Sequence, residues 1–247
     1  MDFDLDEGGR DPVLGIERLQ EAYFARFPEY PRGITVPAIV DIPPSGAVVT
    51  NDFQRITLDF ATEWSDLHRD GAPDLYPEAQ REEIDALNRW MLHRVNNGVY
   101  KTGFAGTQAA YEKEYRALWA ALDELEERLS RSRYLMGASI TEQTSACSRL
   151  SSGSTPPCTS PTSRPTGSRW RRCPTCGGYT KDLFQTPGFG DTVDFQHVKE
   201  HYYAVQTDIN PTQVVPLGPD VSGFLDPHDR DRFATDTWGG RRDGAGA

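Results

Sequence analysis

Hydrophobic positions along the chain follow short, mixed periods up to residue 64 and long helical ones from 78 to 131. Residues 12–27 place Leu14, Ile16, Leu19, Tyr23 and Phe24 at helix-like spacing, ending before Pro28. Ile34 to Ile42 is rich in β-formers, Pro43-Pro44-Ser45-Gly46 reads as a turn, and Ala47 to Thr50 as a second strand. Asn51 is the predicted N-cap of a helix that runs through Trp64 and carries Ile56, Leu58 and Phe60. Ser65 to Pro77, with its prolines and aspartates, reads as a linker. Long helices are predicted over 78–96 and 108–131. In the second, Tyr111, Tyr115, Leu118, Trp119, Leu122, Leu125 and Leu129 form one apolar stripe opposite Glu and Arg. The first carries Trp90, Met91 and Val95. Asn96-Asn97-Gly98 then supplies residues that tolerate positive φ, so Tyr100 and Phe104 are expected where a loop begins. Leu135 to Glu142 reads as a tight turn leading into a helix start. Shorter helices are predicted over 179–186 and 192–204, then a proline-bearing arm from Gln206 and a disordered tail over 239–247.

Strand, turn, strand, helix is the second half of a thioredoxin-like domain, and long helices with short connections read as a bundle. The expected fold class is α+β, with a partial thioredoxin-like domain over 1–64 and a linker over 65–77. An all-α domain follows over 78–205, then an extended arm and tail over 206–247.

Composition narrows the function. The chain has 247 residues and a formal net charge of -11, with no basic stripe interleaved with aromatics, which argues against nucleic acid or an anionic membrane as partner. No apolar run reaches the length of a membrane span, and the acidic opening Met1-Asp2-Phe3-Asp4 is unlike a signal peptide, so the chain reads as cytoplasmic. Its four cysteines, Cys147, Cys158, Cys173 and Cys176, sit in one thirty-residue stretch rather than spread as a secreted disulfide framework would be.

That stretch, Gln143 to about Cys176, breaks the surrounding pattern. Ser, Thr, Pro, Arg and Cys dominate and helical or strand periodicity is nearly absent, so it is expected to be disordered. One reading is a flexible linker; the preferred reading is a frame slip. Arginine far outnumbers lysine, as a GC-rich coding sequence tends to produce. Back-translating Glu142 to Cys147 with GC-rich codons and restoring one G gives EADVRLFTTLVRFD through Thr155, an amphipathic string. After Ile140-Thr141 this would complete ITEAD, a core-helix cap, where Thr144 now stands in place of the aspartate. The coding DNA decides between the readings: a frame without insertion or deletion against close relatives removes the slip.

Several motifs suggest chemistry. His197-Val198-Lys199-Glu200-His201 fits H-x-x-E-H, which on a helix offers two imidazoles beside a general base; a charged, solvated helix face explains it more simply. Cys173-x-x-Cys176 could be half a zinc site or a redox pair, but lacks a second close-spaced pair or a strand–helix context. Gly188-Phe189-Gly190 is no phosphate loop, and no G-x-S-x-G occurs. Val36-Pro37 lies between turn and strand, where a cis bond would present valine backbone groups to a cysteinyl peptide; an ordinary trans proline is the alternative.

The runs DLYPEAQREEIDALNRW, RVNNGVYKTGFAG and TVDFQHVKEHYYAVQTDINPTQVVPLGPD resemble the glutathionyl-hydroquinone reductases, the xi-class glutathione transferases. The resemblance covers about 12–142 and 178–230. It implies removal of a glutathionyl-type thiol from thiolated hydroquinones, in which a cysteine thiolate attacks the conjugate's sulfur. The hydroquinone is released, and a second thiol molecule frees the enzyme. It also implies that Val36 and Pro37 bind the thiol, with Asp52 and Phe53 at the γ-glutamyl position. Tyr100 and one or both of Tyr202 and Tyr203 would line the substrate pocket, and a homodimer would form through the helical domain. Two departures accompany it. The family's CPWAHR-like nucleophile motif is absent, so the chain reads as N-terminally truncated and unable to perform the exchange by itself. Phe53 replaces the usual serine hydroxyl, which leaves glutathione or another low-molecular-weight thiol such as mycothiol as the cofactor. The alternatives are a non-catalytic thiol-binding or interaction module and a metal-dependent hydrolase using His197 and His201.

Overall fold

The structure, a computed structural model, describes residues 7–142, 173–205, 207, 210–215, 217 and 222–233, the side chains of Glu7 and Tyr202 aside. It divides into two compact units, Met1–Arg69 and Asp70–Ala247, a division inside the predicted linker.

In the first unit, α1 spans Leu19–Arg26 and turns Leu19, Ala22 and Tyr23 into a small core with Val48. The helix begins later than the 12–27 pattern predicts. The Asp11 carboxylate accepts from the N–H groups of Val13 and Leu14, and Gly15 takes φ 69°, which closes a turn before the helix can start. The Glu21 carboxylate accepts from the N–H groups of Glu17 and Arg18 instead. Strands β1 (Ile39–Val40) and β2 (Val48–Thr50) pair antiparallel, with Ile39 opposite Thr50 and Val40 opposite Val48. The predicted strand over 34–42 shrinks to two residues behind Pro37, which cannot donate to a ladder. Helix α2 spans Phe53–Ala61 and is capped by Asp52, whose carboxylate accepts from Arg55 N at 3.3 Å. Asn51, the predicted cap, donates to Thr35 Oγ1 at 2.8 Å instead. Trp64 lies beyond the helix, edge-on to Phe60 at 4.8 Å.

In the second unit, α3 spans Arg81–Met91, a π turn covers Leu92–Asn96, and α4 spans Asn97–Gly103. The predicted helix over 78–96 therefore runs on past its expected cap. Asn96 and Asn97 keep helical φ of -62° and -74°. Gly98 serves packing, since a Cβ there would lie 3.3 Å from Leu118 Cδ1. Helix α5 spans Gln108–Arg131, and its Thr107 cap accepts from Ala110 N at 3.2 Å. Leu118, Ala121, Leu125 and Leu129 are its buried line. The stripe expected from the sequence splits here: Tyr111 and Tyr115 are exposed and pack on one another, with Trp119 next in the row. Met91, Val95 and Val99 meet the α5 line, joined by Tyr179 and Leu183 of α6 (Pro174–Phe184). Helix α7 (Phe195–Glu200) follows, then a second π turn over His201–Val205.

Helix α6 starts earlier than predicted and takes in residues from the supposedly anomalous stretch. Two N–H groups at its start, on Thr175 and Cys176, donate to the Glu126 carboxylate of α5 at 2.6 and 2.7 Å. The rest of that stretch, 143–172, lies outside the described residues, as do the sites of the proposed frame slip, Cys147, Cys158 and the 239–247 tail.

The C-terminal end of α5 is closed by distant residues. Arg230, fully buried, donates to the carbonyls of Leu129 (2.8 Å), Ser132 and Arg133 (2.6 Å). Arg133 in turn holds Asp182 of α6 bidentately at 2.8 and 2.6 Å, both side chains 3% exposed. Desolvation penalises such a pair, and the two-point geometry offsets it. The Asp182 hydrogen bond raises the Arg133 pKa, with burial opposing. Phe224 packs against Phe184 and Phe195 at 5.1 and 5.6 Å, so the 222–233 segment ties α6 to the start of α7.

Candidate functional site

The predicted site residues fall in both units. In the first, the Val36-Pro37 peptide bond is cis and Val36 is half exposed. Neither the N–H nor the carbonyl of Val36 has a hydrogen-bond partner among the described residues. Next to it, the Thr35 carbonyl accepts from Tyr23 Oη at 2.7 Å, which anchors the loop to α1. Asp52 is exposed at the start of α2 with one carboxylate oxygen engaged by Arg55 N, and Phe53 opens the helix half-buried. A carboxylate there complements the positive end of the helix dipole.

In the second unit, Tyr100 stands on α4 rather than in a loop. It is 43% exposed, and its ring stacks on Phe104 at 6.1 Å with the planes 15° apart. The π turn before it matters because π segments shift the side-chain register and recur at functional sites. Inside that turn the Asn96 side-chain oxygen is buried and has no hydrogen-bond partner among the described residues. Tyr202 and Tyr203 belong to the second π turn; Tyr203 is half-buried, and the Tyr202 side chain is outside the described residues.

The H-x-x-E-H run straddles a change of helix type. His197 is on α7, 64% exposed and 3.7 Å from the Asp194 carboxylate, while His201 opens the π turn. Burial lowers the His201 pKa. Among the described residues no three His, Cys, Asp or Glu side chains gather as metal ligands would. Cys173 and Cys176 frame the start of α6, where a helix dipole could favour a thiolate. The Glu126 carboxylate already takes those N–H groups. Burial opposes its charge, but the bonds from Cys176 and Thr175 prevail and hold its pKa below the usual carboxylate range. An added negative charge on Cys176 would face that carboxylate.

The polar residues that hold the second π turn were visible in the sequence only as an unexplained motif. Asn210, 3% exposed, donates to the Tyr203 carbonyl at 2.7 Å, and Gln213 donates to the Ala204 carbonyl at 2.8 Å. The INPT string gave their position, while a partner seven residues back gave no signal.

The chain matches no family model. It is 34% identical over 229 residues to "Glutathionyl-hydroquinone reductase YqjG" of Escherichia coli K12, an alignment covering 90% of this chain and 66% of that protein. The crystal structure of a glutathione transferase from Gordonia bronchialis superposes with a TM-score of 0.84 at 51% identity, covering 97% of this chain and 73% of that one. The glutathione-S-transferase Xi from Phanerochaete chrysosporium gives a TM-score of 0.77 at 33% identity, covering 89% and 70%. The cis Val36-Pro37 loop, the tyrosine-bearing helices and these likenesses together identify the chain as a member of the glutathionyl-hydroquinone reductase family, the xi class of glutathione transferases.

Proposed function

We propose that the chain serves thiol-dependent reduction of glutathionyl-hydroquinones, with the first unit binding the thiol and the second the aromatic ring. The observation that carries this reading is Val36, beside a cis bond, whose N–H and carbonyl have no hydrogen-bond partner among the described residues and suit the backbone of a cysteinyl peptide. A relative named for this activity supports it. Asp52 would take the ammonium of a γ-glutamyl group. Glutathione itself supplies the reducing thiol. Tyr100 and Tyr203, with Tyr202 beside it, would donate to the hydroquinone oxygens and favour departure of the ring as a stabilised anion. Phe53 offers no hydroxyl beside Asp52, so mycothiol is the competing thiol.

None of the four cysteines lies before residue 147. In this reading the polypeptide binds both partners, and the first unit supplies no attacking sulfur of its own. A non-catalytic thiol-binding module is the second reading, and the same placement favours it. We also propose a cytoplasmic homodimer, for which light scattering at twice the chain mass is the test.

The deciding experiment titrates the chain with glutathione, mycothiol and hydroquinone by calorimetry. Turnover of a glutathionyl-hydroquinone is followed in parallel by chromatography. Expected are saturable binding of one thiol and of hydroquinone, with no turnover. Failure to bind either thiol sinks the reading. Thiol binding without hydroquinone binding selects the non-catalytic module, and measurable turnover refutes the claim about the sulfur.

A further inference from the structure

The arm after the second π turn does more than cover the surface. Asn210 is 3% exposed and uses its whole carboxamide. Its Nδ2 donates to the Tyr203 carbonyl at 2.7 Å and the Val214 carbonyl at 3.1 Å, and its Oδ1 accepts from Thr212 Oγ1 at 3.0 Å. Gln213 adds a second tether. Its Nε2 donates to the Ala204 carbonyl at 2.8 Å, and its N–H donates to the Asn210 carbonyl at 3.0 Å. Gln213 reaches this geometry at φ 52°, in the left-handed region. The final carbonyls of a helix lack donors from within it, and those of a π turn are no exception. Two consecutive carbonyls, on Tyr203 and Ala204, are therefore supplied with donors by two side-chain amides from one loop.

We infer that Asn210 and Gln213 are positioning residues for the Tyr203 phenol. The amides fix the backbone on which the phenol sits, and so set how it meets the hydroquinone. The inference rests on the reading that Tyr203 contacts the ring. A buried amide with every donor and acceptor engaged resists displacement, since freeing its NH2 group would strand buried polar atoms. Side-chain direction follows backbone placement over so short a distance.

The test measures hydroquinone and glutathione affinity of the full chain by calorimetry, for Asn210→Asp in the Tyr203 and Tyr203→Phe backgrounds. The aspartate retains the acceptor for Thr212 but turns an oxygen toward two carbonyls. Expected is a loss of hydroquinone affinity of roughly threefold to tenfold with Tyr203 present, the scale of one hydrogen bond, and no further loss once Tyr203 is Phe. Glutathione affinity stays unchanged. Equal losses in both backgrounds, or a matching loss for glutathione, would show a general structural role and overturn the inference. A flat response to Asn210→Asp while Tyr203→Phe weakens binding also overturns it and leaves the proposed function standing. A flat response to Tyr203→Phe alone removes the reading beneath both. Should Asn210→Asp fail to fold, the exposed Gln213 repeats the test: Gln213→Glu is expected to weaken hydroquinone binding and Gln213→Lys, which keeps a donor, to preserve it.

Discussion

Two π turns carry or precede Tyr100, Tyr202 and Tyr203, and they are held in opposite ways. The first, Leu92–Asn96, is backed by apolar packing: Val95 and Val99 are 2% and 3% exposed, and Gly98 lets Leu118 of α5 come within touching distance. The second, His201–Val205, has no buried line of its own among the described residues. It depends on the Asn210 and Gln213 amides, while Phe224 packs on Phe195 at the start of α7. A helical irregularity can be stabilised by shape or by polar tethers. The tethered one is the more sensitive to single-atom changes in distant residues.

The sharpest way to break the contrast is Asp182→Asn. It leaves Arg133 buried without its full partner, and about 3–5 kcal/mol of stability is expected to go. Hydrogen exchange should show α6 and α7 loosening before α3 and α4. If both halves loosen together, the division into shape-held and tether-held regions is wrong. Next in size is Gly98→Val, which forces bulk against Leu118 and should cost about 1–3 kcal/mol in chemical denaturation. An unchanged midpoint would mean the helices can part freely. Smaller again is Glu126→Gln, about 1 kcal/mol or less, because the carboxylate is partly solvated. Its folded pKa lies below the unfolded value, so its contribution is complete above the ordinary carboxylate pKa and disappears as pH falls through the lowered one. Melting curves of wild type and variant should therefore converge on acidification. A gap that persists in acid would assign the effect to packing. Tyr100→Phe comes last: the exposed ring keeps its stack on Phe104, so stability should move by less than about 0.5 kcal/mol while hydroquinone affinity falls.

The same contrast explains what the sequence could disclose. Helix α5 was legible to its ends, because Thr107 is a capping residue and the Leu118, Leu125 and Leu129 spacing repeats at helical period. Asn96-Asn97-Gly98 was misleading. Its composition is that of a helix stop, yet the glycine answers a neighbouring side chain twenty residues away rather than a need for positive φ. Asp11 delays the start of α1 by a local side-chain bond that periodicity does not encode. The Val36-Pro37 loop was recognisable through resemblance. Arg230 was invisible, since nothing in a polar stretch announces carbonyl partners about a hundred positions upstream.

Arg230 also bears on the order in which the chain can be completed. A ribosome emits Leu129 a hundred and one residues before the guanidinium that will bind its carbonyl. During that interval the end of α5 must rely on water. Translation stalled shortly before residue 230 would yield a nascent product in which α5 is open at one terminus, and a protease would find its first cut there.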